Sequence, residues 1–270
     1  MANVAVAHHE QDDKATWITL ALLIGLLIVG YGNSLIETAK FWMSPNGKYA
    51  HGWLIPGFTL YLLWVRRESV GEVPANDRWW GVLMLSGALA LRLLATYFPN
   101  LTPEMYSFVP AVAGIFLMVG GWNMMRWAGA PIAFLILMYP LPSFADTLLL
   151  QSLQKFATYA SNYTLQTLGV ACHAEGNTIF VSETETPMGV VEQCSGLRML
   201  TIFVALCVAM GFLTNRPIWE RIVVAISSVP IAVASNVFRI TLTGLAHLVV
   251  SPETAGKLGH DMAEIGRAHV

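Results

Sequence analysis

The chain has 270 residues, 55% of them hydrophobic and 12% charged, with mean hydropathy +0.57 and a net charge of −2. An ordinary soluble domain carries about 25% charged residues, so this composition excludes a soluble fold, and the slight negative balance argues against nucleic acid as a partner. What remains is an all-α, polytopic membrane protein whose partners include membrane lipid, each span taking roughly 20 apolar residues.

Residues 1–16 read as a cytoplasmic leader. Helix one is expected over 17–31; it lacks a basic n-region and a small-residue cleavage site, so it reads as an uncleaved span. A polar segment over 33–50 contains the turn Ser44-Pro45-Asn46-Gly47. Helix two, 52–65, stops at Arg66-Arg67, and a charged loop covers 68–78. Helix three is expected over 79–97, helix four over 108–124 and helix five over 127–141, closing at Pro140-Leu141-Pro142. The segment 143–193 is more polar. Within it, 147–168 has Leu149, Leu153, Phe156, Tyr163 and Leu165 at helical spacing, which predicts an amphipathic helix at the membrane surface or on the bundle. Residues 177–182 predict a short strand, with 189–191 as hairpin partner. Helix six is expected over 194–213 and helix seven over 222–245, followed by a polar turn at 251–261.

The basic residues set an orientation. With the N-terminus in the cytoplasm, the inside segments collect Lys14, Arg66, Arg67, Arg78, Arg126, Arg216 and Arg221, while Lys40, Lys48, Lys155 and Lys257 spread over longer outside loops. This places the 143–193 segment and the start of helix six on the extracytoplasmic side.

The turn Val190-Val191-Glu192-Gln193-Cys194-Ser195-Gly196-Leu197-Arg198 presents a cysteine just before an apolar run. Unpaired backbone N–H groups and the dipole at a helix N-terminus favour an anion and lower a thiol's pKa. Arg198, at i+4, adds a fixed positive charge on the same face. A small buried cysteine near a helix end is the commoner fate of a lone Cys, and the local sequence leaves both readings open. Three cysteines make an odd count; no zinc-type Cys/His spacing appears, and neither metal nor cofactor is expected.

A charged side chain inside a membrane helix is costly and functional by default. Arg92 and Arg198 lie near helix ends, where snorkelling accounts for them. Arg239 sits well inside helix seven, with Asn236 one turn before it on the same face. A thiol nucleophile also needs a base. His51, His173, His247 and His260 are available, and spacing does not choose among them.

The chain resembles the exosortase/archaeosortase family of polytopic cysteine transpeptidases. The resemblance rests on Tyr49-Ala50-His51-Gly52-Trp53-Leu54-Ile55-Pro56, Pro140-Leu141-Pro142, Leu168-Gly169-Val170 and Glu175-Gly176-Asn177-Thr178-Ile179. It continues with Val191-Glu192-Gln193-Cys194-Ser195-Gly196-Leu197-Arg198, Asn236-Val237-Phe238-Arg239 and His260-Asp261, all in family order. It implies a catalytic triad of Cys194, Arg239 and His260, supported by Arg198, Glu192, Asn236, Ser195 and Gly196. It further implies a multi-pass protein of the bacterial inner membrane that acts, on the outer face, on exported proteins with a C-terminal Pro-Glu-Pro sorting tail. Such enzymes form a thioester at the cysteine and pass the acyl group to an acceptor or to water.

Family members carry a further membrane helix after the His-Asp block, so about seven spans are expected here, over residues 17–261, with a final one missing. Residues 264–270 read as a non-native tail. Two other classes compete with this reading: a transporter binding an anion at Arg239, and a non-catalytic component of exopolysaccharide export. A transporter needs no outward thiol and normally shows broken helices or inverted repeats.

Overall fold

The computed structural model describes residues 2–44, 49–68, 73–95, 97, 102–181, 188–189, 196–214 and 216–249. The turn at 251–261 and the tail at 264–270 lie outside the described residues. The chain divides into two compact units, Met1–Leu141 and Pro142–Val270.

In the first unit, α1 spans Ala2–Gly30 and α2 spans Gly32–Trp42. The apolar part of α1 and α2 meet at 71°. α2 occupies the stretch expected to be a polar connection. It is helical because Ser34, Thr38 and Trp42, one turn apart, form its buried face, and the Thr38 hydroxyl returns to the Ser34 carbonyl at 2.8 Å. A 3-10 turn at Ala50–Trp53 leads into α3, Leu54–Arg66; α4 spans Ala75–Ala95 and α5 Thr102–Phe134, with a second 3-10 turn at Leu135–Met138.

α5 is not straight. Gly121 has φ +60° and ψ −164°, a conformation that glycine alone adopts readily. The Tyr106 hydroxyl donates to the Pro140 carbonyl at 2.9 Å, whereas a straight helix would hold residues so far apart in sequence about 50 Å apart. The chain therefore doubles back at Gly121, close to the boundary expected between helices four and five. The Asp77 carboxylate accepts from the Trp122 backbone N–H at 3.1 Å, capping the second arm where its dipole is positive.

α4 packs against α5 with backbones almost touching: a Cβ on Gly81 would lie 2.3 Å from Met118 N, and one on Gly114 would lie 2.7 Å from Leu85 N. Small residues at such contacts are the usual means of close helix association in membranes. Further along, Arg92 Nε lies 3.5 Å from Glu104 Oε1 and its guanidinium sits 4.1 Å over the Tyr31 ring. Tyr31 and Ser107 share a hydrogen bond at 2.8 Å. Arg92 is thus tied into the bundle by a carboxylate and an aromatic face rather than snorkelling away from it, and the pairing offsets the cost of a charge there.

The second unit begins with α6, Ser143–Thr167, and continues with β1 (Cys172–Glu175), β2 (Thr178–Val181), β3 (Met188–Gly189), α7 (Leu197–Leu213) and α8 (Ile218–Val249). α6 ends in a Schellman arrangement, with Val170 N donating to Leu165 O at 3.1 Å and Gly169 N to Gln166 O at 3.0 Å. The strands form an antiparallel sheet in the order β1-β2-β3, pairing Cys172 with Val181 and Ile179 with Met188. The expected strand and its partner are present, each displaced slightly, and β1 is an additional strand.

α6 is helical as expected, with much of its apolar set turned outward. Ala157, Thr158, Ser161 and Leu165 point inward, while Phe156, Tyr159 and Tyr163 are exposed. Small and hydroxyl side chains let α8 approach closely, and Ser161 Oγ reaches Val237 O at 3.4 Å. The apolar side chains are turned outward, as lipid contact favours. Ala157, Leu165, Val170, Cys172, Ile179, Val181 and Ile240 form the core that seats the sheet between α6 and α8.

Among the described residues, three helices are long and apolar enough to cross a membrane, or four if the bent α1–α2 pair is one span. The all-α membrane class stands, but the number of long apolar helices is below the seven spans expected. Part of the difference is that α3 has 13 residues and α7 has 17.

Candidate functional site

Downstream of Pro230, α8 buries Asn236 and Thr241. Asn236 is 1% exposed, and Arg239, half-buried three residues on, donates from Nη2 to Asn236 Oδ1 at 2.6 Å. A charged donor strengthens this bond, and it fixes the planar guanidinium on the α8 face. Ile240 in the core locks the helix rotation that sets this face.

The second contributor is the entry to α7. Gly196 is its N-terminal capping residue, with φ +82°, and Leu200 N closes the first helical turn on Gly196 O at 2.9 Å. A Cβ on Gly196 would stand 3.1 Å from both Cγ and Nδ2 of Asn236. One buried asparagine therefore touches both the arginine and the turn that opens α7. Leu197 is fully buried, and Arg198 sits half-buried in the first turn. Beneath Gly196 and Asn236 lies a cavity of about 10 Å³, bordered by Leu153, Ala157 and Leu200, room for at most about one water.

The structure thus brings together Gly196, Asn236 and Arg239, with Arg198 on the adjoining helical turn. Glu192, Cys194, Ser195 and His260 lie outside the described residues, and α7 begins at Leu197 rather than at the expected Cys194. Of the other histidines considered, His173 stacks on Phe180 across the hairpin at 5.1 Å, and His51 belongs to the first unit. Sequence reasoning placed Asn236 beside Arg239 but missed its contact with Gly196. Nothing in the spacing of residues 196 and 236 announces it.

An apolar groove of about 810 Å³ runs between α6 and α8 and shares Leu153 and Val233 with the small cavity. The larger volume contains almost no polar surface, whereas the smaller one is bordered by Asn236.

Two consequences are testable. Gly196→Ala forces an alanine into the left-handed region, costing about 1–2 kcal/mol, and pushes its methyl onto Asn236. Circular dichroism should show the helices retained while thermal unfolding in detergent moves down by several degrees. An unshifted unfolding temperature would separate Asn236 from the α7 entry. Cys172 is buried, its thiol directed at Asn162 O at 3.6 Å, and burial raises its pKa. Its labelling by maleimide at neutral pH should be about tenfold slower than that of half-buried Cys207. Equal rates would contradict the burial of Cys172.

The profile of the transmembrane exosortase family matches residues 42–266, which covers most of the chain and includes every residue of the Gly196–Asn236–Arg239 arrangement. No curated protein and no solved structure matches it. With apolar helices of membrane-crossing length and a family match over most of its sequence, the chain belongs to the transmembrane exosortase family.

Proposed function

We infer that the protein is a membrane-embedded cysteine transpeptidase that cleaves C-terminal sorting signals of exported proteins on the outer face of the cytoplasmic membrane. Family membership supports a membrane transpeptidase acting on exported proteins with sorting signals. The observation that carries the residue assignment is the Arg239–Asn236 bond beside Gly196, two residues from Cys194 in sequence.

In this reading the Cys194 thiolate attacks the carbonyl carbon of a backbone amide near a Pro-Glu-Pro motif. Arg239, held by Asn236, donates to the oxyanion that forms. The C–N bond then breaks, leaving a thioester on Cys194, and the departing amine takes a proton from His260. An acceptor nucleophile, or water, gives its proton to His260, attacks the thioester and releases the thiolate. Glu192, Arg198 and Ser195 orient the turn. Arg239 on its own also suits an anion-binding transporter, but its bond to a side chain at the α7 entry favours a role beside Cys194.

The test is co-expression with an exported reporter bearing a Pro-Glu-Pro tail. Wild type should process it, and Cys194→Ala should not. Processing by the alanine variant at the wild-type rate would remove thiol catalysis.

A further inference from the structure

Two of the sequence stretches that carry the family resemblance, Leu168-Gly169-Val170 and Glu175-Gly176-Asn177-Thr178-Ile179, have no part in the chemistry above. Both belong to the second unit, and there they tie the sheet to α6. Leu168-Gly169-Val170 is the turn that ends α6 and leads the chain back to it. At the start of β1, Gln166 Nε2 donates to the Cys172 carbonyl at 2.8 Å. At its end, the two-residue loop Gly176-Asn177 joins Glu175 to its partner Thr178, with Gly176 at φ +58°, a value that glycine adopts without strain. From that loop Asn177 Nδ2 donates to Gln154 Oε1 at 3.2 Å.

The spacing of the two glutamines matches the strand. Gln154 and Gln166 stand twelve residues apart, about 18 Å along a helix. Cys172 and Asn177 stand five residues apart, about 17 Å along a strand. β1 therefore runs back beside α6 in step with it, and an amide of α6 meets it at each end. Leu165, Val170, Ile179 and Val181 share one apolar core, but apolar contact is non-directional and permits sliding along the helix. The hydrogen bonds do not. Gln154 is buried, where an amide requires such a partner.

The same helix reaches the entry to α7. Leu153, beside Gln154, and Ala157, one turn later, border the cavity under Gly196 and Asn236. Thr178, which follows Asn177, pairs with Gly189 of β3. Cys194 falls between Gly189 and Gly196 in sequence. The stretch that carries it is thus anchored at one end by a sheet fastened to Gln154 and at the other by a glycine seated on Asn236.

We propose that Gln154 and Asn177 are positioning residues whose bond fixes the sheet lengthwise on α6, and so sets where the Cys194 stretch departs relative to Asn236 and Arg239. Their effect on Cys194 rests on the peptidase reading above.

The experiment uses the full chain in lipid nanodiscs, as wild type, Asn177→Ala, Gln154→Leu and the double variant. Amide hydrogen exchange across β2 and β3 should rise about fivefold in each single variant, and no further in the double, because both substitutions remove one bond. Exchange in the middle of α7 should stay at its wild-type level. Maleimide labelling of Cys194, followed against pH by peptide mass spectrometry, should shift its midpoint upward in all three variants, toward that of an ordinary thiol. A purely structural bond would leave that midpoint in place. Unaltered exchange in β2 and β3, or additive losses in the double variant, would overturn the tie. Raised exchange with an unmoved midpoint would overturn its positioning role. If wild-type Cys194 already labels as an ordinary thiol, the peptidase reading fails, while exchange still decides whether the tie exists. Should Gln154→Leu not fold, Asn177→Ala, on the partly exposed loop, carries the test alone.

Discussion

Replacing Arg239 by lysine is expected to lower tail cleavage by about 10²–10³-fold, the effect of removing one preorganised donor to an oxyanion. The charge survives this substitution, and so does most of the side-chain length. What is lost is the planar fork, which lets one nitrogen bind Asn236 Oδ1 at 2.6 Å while the others point elsewhere. A lysine ammonium held by Asn236 sits on a flexible stem and aims at nothing in particular. Asn236→Ala should reproduce part of the loss without touching the charge, because the guanidinium then loses the bond to Asn236 Oδ1. Substrate KM should change little in either variant, since the interaction is made in the transition state. Wild-type turnover in Arg239→Lys would take Arg239 out of the mechanism and turn attention to Arg198.

Gly81→Val is expected to have the largest effect on stability, with no direct bearing on the chemistry. Even a single methyl there would stand 2.3 Å from Met118 N and 2.5 Å from its Cα, backbone atoms that cannot turn aside as a side-chain tip can. Overpacking a core commonly costs about 1–3 kcal/mol, and a rigid backbone contact belongs at the upper end or beyond it. Because α4 and the first arm of α5 hold Arg92 against Glu104 at their other end, parting them also strains that ion pair. Thermal unfolding in detergent should move down by several degrees, and the yield of folded protein should drop. Gly87→Val, on the same helix but with open space around it, is the control and should behave as wild type.

The fold class was legible because composition alone demands membrane helices, and α6, α7 and α8 lie close to their predicted positions. The reversal at Gly121 was legible as a boundary between two apolar runs, but the Asp77 cap that holds it was not, since hydropathy does not see a cap contributed from another helix. α2 was missed because its helix-forming face consists of Ser34 and Thr38, which look like loop residues until their hydroxyls are satisfied within the helix. On α6 the periodicity was legible, but whether its apolar side faces lipid or bundle was open in the sequence; Ala157 and Ser161 face inward, where small side chains let α8 approach. At the site, Asn236 and Arg239 could be paired from a spacing of three on one helix. The contact of Asn236 with Gly196 could not, since it depends on how α7 and α8 pack.

The length of α7 has a consequence for where the proposed chemistry would take place. Seventeen residues rise about 25 Å, some 5 Å short of a typical hydrocarbon core of about 30 Å. If α7 crosses the bilayer, either the lipid thins around it or its Gly196 end rests below the headgroups. Either way acyl-chain length becomes an active variable: shorter lipids would relieve the mismatch and raise the α7 entry toward water, and thicker, sterol-like membranes would sink it. Reconstitution across a series of phosphatidylcholines of graded chain length would then tune the proposed activity without altering a single residue.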